Sequence, residues 1–138
     1  VVDLGGGEGR TLRALMERIP TLERLVGMDV ATAELAKAAR RLKPERHPKL
    51  TLLHGSLVYL DARLPARPDV ALLTEVIEHL DPWRLATLEE VLFARLAPRR
   101  AVLTTPNAEY NRLWESLPAG KRRHHDHRFE WTRAEMDA

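Results

Sequence analysis

Two carboxylates and an imidazole crowd into the segment Glu75-Val76-Ile77-Glu78-His79. On a helix, Glu75, Glu78 and His79 would fall at i, i+3 and i+4 and share one face, leaving Val76, Ile77 and Leu80 to meet a core. Donors converging in this way suit a divalent cation such as Mg²⁺ or Mn²⁺, and the imidazole favours an ion softer than Mg²⁺. A fourth ligand is on offer in the string from Arg123 to Arg133, where His124, His125 and His127 stand among cations and aromatics. A tetrad completed from that string would leave positions open for substrate oxygens, as a catalytic ion requires. Asp126 or Glu130 can orient a ligand imidazole from behind. Each cluster also has a plainer reading: a Glu-His segment that only shapes a pocket, and a solvated histidine-rich turn.

A second constellation opens the chain. Asp3-Leu4-Gly5-Gly6-Gly7-Glu8-Gly9 leaves an apolar run and enters a helical pattern, and glycine there permits a tight turn and close backbone approach to a ligand. The dinucleotide spacing G-x-G-x-x-G fails from either starting glycine, because Arg10 or Leu12 stands where the third should be, and no Gly-Lys-Ser/Thr ending marks a phosphate loop. The turn instead resembles motif I of class I S-adenosylmethionine-dependent methyltransferases, with Asp3, Gly5 and Gly7 at the cofactor. Asp29, at the end of the next apolar run, is spaced to accept hydrogen bonds from the two ribose hydroxyls of an adenosine. Ser56, after Gly55, would sit near the adenine edge. An ordinary β-α connection and a helix cap are the alternatives for the turn and for Asp29.

The elements that must position these groups alternate. Short, nearly continuous apolar runs at 1–4, 25–29, 50–53, 70–73 and 101–104 predict strands buried on both faces. Helical patterns at about 11–18 and 31–42 separate the first three. Leu85, Leu88, Val91, Leu92 and Leu96 recur at helical spacing between the last two, bounded by Pro82 and Pro98. This order predicts an α/β fold: a Rossmann-like, doubly wound, mostly parallel sheet. One domain accounts for residues 1–138. It opens inside a strand and stops in what reads as a new helix, so it is expected to be incomplete at both ends.

Of 138 residues, 44% are hydrophobic, enough for a core, and the 22 basic and 20 acidic side chains balance too evenly to mark a polyanionic partner by themselves. Between Lys121 and Arg133, however, five basic side chains face only Asp126 and Glu130. Cysteine is absent, which excludes disulfides, thiolate nucleophiles and iron–sulfur clusters. No run approaches the roughly 20 apolar residues of a membrane span, and nothing reads as a secretory leader, so a cytoplasmic location without membrane contact is expected.

Taken together, Glu75 to Leu80, Thr104-Thr105-Pro106-Asn107-Ala108-Glu109-Tyr110-Asn111 and Arg123 to Arg133 resemble the three signatures of the small RNA 2′-O-methyltransferases, the HEN-type family that modifies the 3′-terminal ribose. The likeness runs over nearly the whole chain; Met136, where the family often has an aromatic, is a mild departure. It implies a methyltransferase catalytic domain, S-adenosylmethionine and a divalent cation as cofactors, and an RNA 3′ end with free 2′ and 3′ hydroxyls as substrate. Carried over by position, Glu75, Glu78, His79 and His127 are the catalytic metal ligands, with His127 directly following the family's aspartate. Asn107, Tyr110, Arg123, His124 and Arg128 fall where the RNA end would lie, His124 or His125 being a possible base. Tyr110 or Trp131 could stack on a base, and Phe129 reads as core. Bacterial members further imply an RNA end-healing and ligating repair enzyme as partner. A methyltransferase acting on small molecules and a non-catalytic RNA-binding module are the competing readings.

Overall fold

The computed structural model describes residues 1–118 and 120–137. Five strands form one sheet: β1 (Val2–Leu4), β2 (Leu25–Asp29), β3 (Leu50–His54), β4 (Val70–Thr74) and β5 (Arg100–Thr104). All pairings are parallel and the spatial order is β3-β2-β1-β4-β5. The chain therefore winds outward from β1 to β3, then crosses back to lay β4 on the other side of β1. That reversal creates a switch point between β1 and β4, the place where open α/β sheets leave a crevice at the carboxyl ends of their strands. Asp3 pairs with Leu72, so the glycine turn after β1 and the Glu-His segment after β4 emerge side by side. The predicted doubly wound sheet is the one observed.

The helices form where apolar residues share a face. In α1 (Arg10–Arg18), Leu12, Leu15 and Met16 turn toward the sheet, and in α2 (Thr32–Leu42) Ala38 and Leu42 do the same. Lys43, at φ 49°, ends α2 in the left-handed conformation just before Pro44. The predicted third helix divides: α3 covers Leu85–Glu89 and continues as a π-helix over Glu90–Leu96, with the Ala97 N–H donating to Leu92 O across five residues. Leu88, Val91, Leu92 and Leu96 are buried as their spacing required. A short α4 (Arg133–Met136) opens with a capping box between Thr132 and Glu135.

Two apolar clusters result, one per face of the sheet. Leu12, Leu25, Ala38, Leu42 and Leu50 make the first, while Val2, Met28, Leu53, Leu73, Ile77 and Leu92 belong to the second. The expectation of strands buried on both faces holds for β1 and for most of β2. It fails for β5, where Arg100, Ala101, Val102 and Thr104 are exposed, and for β3, where Thr51 and His54 are exposed. Both are edge strands with a single neighbour in the sheet. Among the described residues no helix is long and apolar enough to cross a membrane.

Candidate active site

The glycine turn is shaped by two backbone demands. Gly5 sits at φ 81°, and a Cβ there would stand 2.6 Å from a methyl carbon of Val76, so the turn after β1 packs directly on the segment after β4. Gly7, at φ 49°, would present a Cβ to open space, because it borders the crevice. Asp29 holds the turn from the side: Oδ2 accepts the Gly7 N–H and Oδ1 the Ala31 N–H, each at 2.8 Å. Asp29 thus braces the turn and the residue at the head of α2, although no side chain caps that helix, and its remaining lone pairs are available to a ligand. Ser56 Oγ accepts only a long bond of 3.4 Å from the Val58 N–H.

Behind the turn lies Asp3, 1% exposed, whose Oδ2 has no hydrogen-bond partner among the described residues. Burial, reinforced by the charge of Asp29, pushes its carboxyl up to about 6. A buried, unpaired carboxyl next to a crevice is costly unless something cationic or hydrogen-bonding completes it.

The helical arrangement expected for Glu75, Glu78 and His79 is not what forms. Glu75 adopts φ 55°, Val76 is non-helical, and only Ile77–His79 close a single 3₁₀ turn. The reason is local. β4 ends with the Glu75 N–H donating to Thr104 O at 3.0 Å, continuing the pairing with β5 by one residue, and the chain must then turn sharply to bury Val76 and Ile77. Glu75 stays exposed and its Oε1 accepts the Thr104 hydroxyl at 2.9 Å. Glu78 points inward at 0% exposure; Oε2 accepts the Thr105 hydroxyl at 3.1 Å, whereas Oε1 has no partner among the described residues. Burial raises its pKa, and the charge of Glu75 adds to the effect.

The late basic string folds back onto this segment. The Arg128 N–H donates to Glu78 O at 2.6 Å, and His127 is buried with its ring 4.9 Å from that of His79. Among the described residues, His79, His124 and His127 form a group whose ligand atoms lie within 4.8 Å of one another, a donor set suited to a divalent ion. Neither glutamate belongs to that compact group, and His124, read from sequence as an RNA contact, does. His125 is exposed and stacks loosely on His124, with ring centroids 4.2 Å apart.

A hydrogen-bond hub fixes His127. Its Nδ1 lies 2.6 Å from Glu130 Oε1, which also accepts the Arg123 N–H, while Oε2 accepts from Asn111 at 2.5 Å. Burial alone would raise the Glu130 pKa, but the bonds from Asn111, His127 and Arg123 outweigh it and hold the carboxyl below its ordinary value. Arg122 donates to His127 O at 2.9 Å. The roles of Thr104, Thr105, Asn111 and Arg122 carried no sequence signal beyond proximity to the motifs.

The residues assigned to RNA divide. Arg123 is half-buried, its Nε on Asn111 Oδ1 at 2.6 Å, an Nη on Asn107 O at 2.7 Å, and its guanidinium 5.3 Å from the ring centre of Trp114. Asn107 caps the 3₁₀ segment Ala108–Leu113. Both act as struts within the fold. Tyr110 and Arg128 are exposed, and Arg128 reaches only a loose 3.6 Å contact with Asp81. Phe129 and Trp131 stack on each other and pack against the core.

Several of these residues share one crevice. A cavity of about 580 Å³ is lined by Gly7, Asp29 and Ser56 together with Glu75, His79 and Arg128. A parallel sheet with this reversal, a glycine turn at its switch point and an acid ending the second strand define the Rossmann-like fold of class I methyltransferases. A family described as a methyltransferase domain matches residues 2–100. The small RNA 2′-O-methyltransferase of Rattus norvegicus is 39% identical over 145 residues, an alignment covering 99% of this chain and 36% of that protein. The crystal structure of the methyltransferase domain of bacterial CtHen1-C is 42% identical with a TM-score of 0.82, covering 99% of this chain and 69% of that one. For the crystal structure of small RNA methyltransferase HEN1 the values are 31% and 0.85, covering 99% and 18%. The chain belongs to the methyltransferase-domain family and, within it, to the small RNA 2′-O-methyltransferases. It spans little more than a third of the rat relative's length.

Proposed function

We propose that this chain is the catalytic domain of an enzyme that transfers a methyl group from S-adenosylmethionine to the 2′-hydroxyl of the 3′-terminal nucleotide of RNA, assisted by a divalent ion such as Mg²⁺ or Mn²⁺. The observation that carries the reading is the shared crevice, lined both by residues suited to an adenosine, Gly7, Asp29 and Ser56, and by residues suited to a cation, Glu75 and His79. The fit is supported by two buried carboxylate oxygens that lack a partner among the described residues, Asp3 Oδ2 against the glycine turn and Glu78 Oε1 in the segment that carries His79.

Asp29 and Ser56 would hold the adenosine, and Gly5 and Gly7 let the backbone approach it. Glu75, Glu78, His79 and His127 are the proposed ligands of the ion. When bound, S-adenosylmethionine supplies an electrophilic methyl group and the ion supplies charge that makes a ligated hydroxyl more acidic. Glu130 keeps the His127 ring in place, and the exposed Arg128 stands ready for the RNA backbone. Tyr110 offers a face to a base, worth roughly 1–3 kcal/mol if stacked. Because the acceptor must carry both hydroxyls, the proposal includes a preceding enzyme that heals 3′ ends and a ligating partner.

Labelled methyl transfer tests the reading directly. Short RNA ending in 2′,3′-hydroxyls should be methylated, RNA ending in 3′-phosphate or 2′-deoxyribose should not, and excess chelator should abolish transfer until Mn²⁺ is restored. Chelator-resistant methylation of a metabolite would select a small-molecule enzyme instead. RNA binding without S-adenosylmethionine affinity would select a non-catalytic module.

A further inference from the structure

Three histidines occupy one small volume, yet their ring nitrogens are not equivalent. His127 Nδ1 lies 2.6 Å from Glu130 Oε1. An ionised carboxylate only accepts, so Nδ1 carries the hydrogen and Nε2 keeps its lone pair. His79 Nδ1 stands 3.3 Å from Asp126 Oδ2, close in charge terms but without a hydrogen bond between them. His124 is the reverse of His127: its Nδ1 accepts the backbone N–H of Asp126 at 3.2 Å. A ring nitrogen that accepts must hold a lone pair, and the neutral ring then carries its hydrogen on Nε2. Asp126 thus sorts the His124 ring through its amide, while its carboxylate lies close to His79.

We infer that His124 is neither a metal ligand nor a general base but a hydrogen-bond donor, its Nε2–H serving an oxygen of the terminal nucleotide beside the ion site. This rests on the function proposed above. Proximity alone would make all three histidines ligands. The Nδ1 lone pair of His124, however, is already directed at an amide, and Nε2 has none to give. The ring is exposed and lines the same cavity as the glycine turn and His79, 5.5 Å between centroids from His127 and 6.0 Å from His79. A ligand oxygen bridging toward the ion would meet a donor there, and phosphodiester and ribose oxygens are acceptors of that kind.

Three measurements test this on the whole chain. Long-range ¹H–¹⁵N spectra of the metal-free protein should show His124 with its hydrogen on Nε2 and His127 with its hydrogen on Nδ1; the opposite tautomer at His124 would overturn the inference. In a Mn²⁺ titration followed by electron paramagnetic resonance, His124→Ala should shift affinity less than about threefold, while His127→Ala weakens it by at least about tenfold; equal losses would make His124 a ligand. In methyl transfer to 3′-hydroxyl RNA, His124→Ala should lower kcat/KM roughly 10–100-fold, the range of one hydrogen bond to a charged group. His124→Gln, which restores an N–H, should recover most of that loss, and a glutamine variant as poor as the alanine would identify a base. A wild-type chain that methylates no RNA would sink the functional reading instead, with the first two measurements still deciding where the ring hydrogen sits.

Discussion

His127 and Glu130 are joined at 2.6 Å with both side chains almost wholly buried, 8% and 2% exposed. A carboxylate behind an imidazole fixes which nitrogen is protonated and which way the ring faces, and such outer partners typically govern 10–100-fold in metal affinity. Glu130→Ala should therefore weaken Mn²⁺ binding by about that factor, measured by titration, although Glu130 is not itself one of the proposed ligands. Glu130→Gln, which can still accept from Nδ1–H, should lose less. Equal Mn²⁺ affinity in wild type and Glu130→Ala would contradict the role.

The same carboxylate predicts acid sensitivity. Its pKa is held below the ordinary glutamate value, so it contributes stability that is complete above that value and is lost as pH falls through the depressed one. Thermal unfolding of wild type should decline more steeply below the usual glutamate range than that of Glu130→Gln, which has no proton to gain. Parallel pH profiles would refute the coupling.

Asp3 predicts the opposite sign. Its folded-state pKa is raised to about 6, so the native state binds the proton more tightly than the unfolded chain, and stability falls as pH rises from the ordinary aspartate range to about 6. Asp3→Asn removes that penalty and should stabilise the ligand-free protein at pH 7–8 by about 1–3 kcal/mol. The difference should shrink toward zero near pH 4. Cofactor binding should weaken in the same variant, because the charge that the crevice keeps unpaired is gone. A variant less stable than wild type at pH 8 would show that the buried carboxylate is satisfied in some other way.

Much of this was legible in the sequence because it depends on order and spacing. Alternating apolar runs and helical patterns sufficed for the parallel sheet, and the sheet reversal brings Gly5 beside Val76 through topology alone. What stayed hidden depends on backbone choices that spacing does not fix. Glu75, Glu78 and His79 fit a helix on paper, but continued pairing with β5 forces Glu75 into a left-handed turn and sends Glu78 inward. Arg123 reads as an RNA contact, whereas Asn111 Oδ1 and Asn107 O, distant in sequence, accept from two of its nitrogens. The π-helical stretch likewise reads as ordinary helix, since the burial of Leu88, Leu92 and Leu96 satisfies either period.

Glu78 offers a test of the ion site that does not require turnover. Its buried Oε1 has no partner among the described residues and its pKa is raised by burial, so the charged form is disfavoured and a bound cation would relieve it. Glu78→Gln keeps the shape and removes the charge. Without metal it should be at least as stable as wild type at pH 7–8. With Mn²⁺ at about 100 times its Kd, wild type should gain about 2.7 kcal/mol by linkage and Glu78→Gln much less. Equal Mn²⁺-induced shifts in Tm would remove Glu78 from the ligand set.

Gly5 tests the contact that joins the two halves of the crevice. Its φ of 81° disfavours any side chain, and an added Cβ would lie 2.6 Å and 2.9 Å from the two methyl carbons of Val76. Gly5→Ala should destabilise the fold by roughly 1–3 kcal/mol through strain and overpacking together. Val76→Ala in the same chain relieves the clash but not the backbone strain, so Gly5→Ala/Val76→Ala should be more stable than the sum of the two single losses. Strict additivity of the unfolding free energies would mean that the turn after β1 and the segment after β4 do not press on each other, and the common wall of the two subsites would be lost with it.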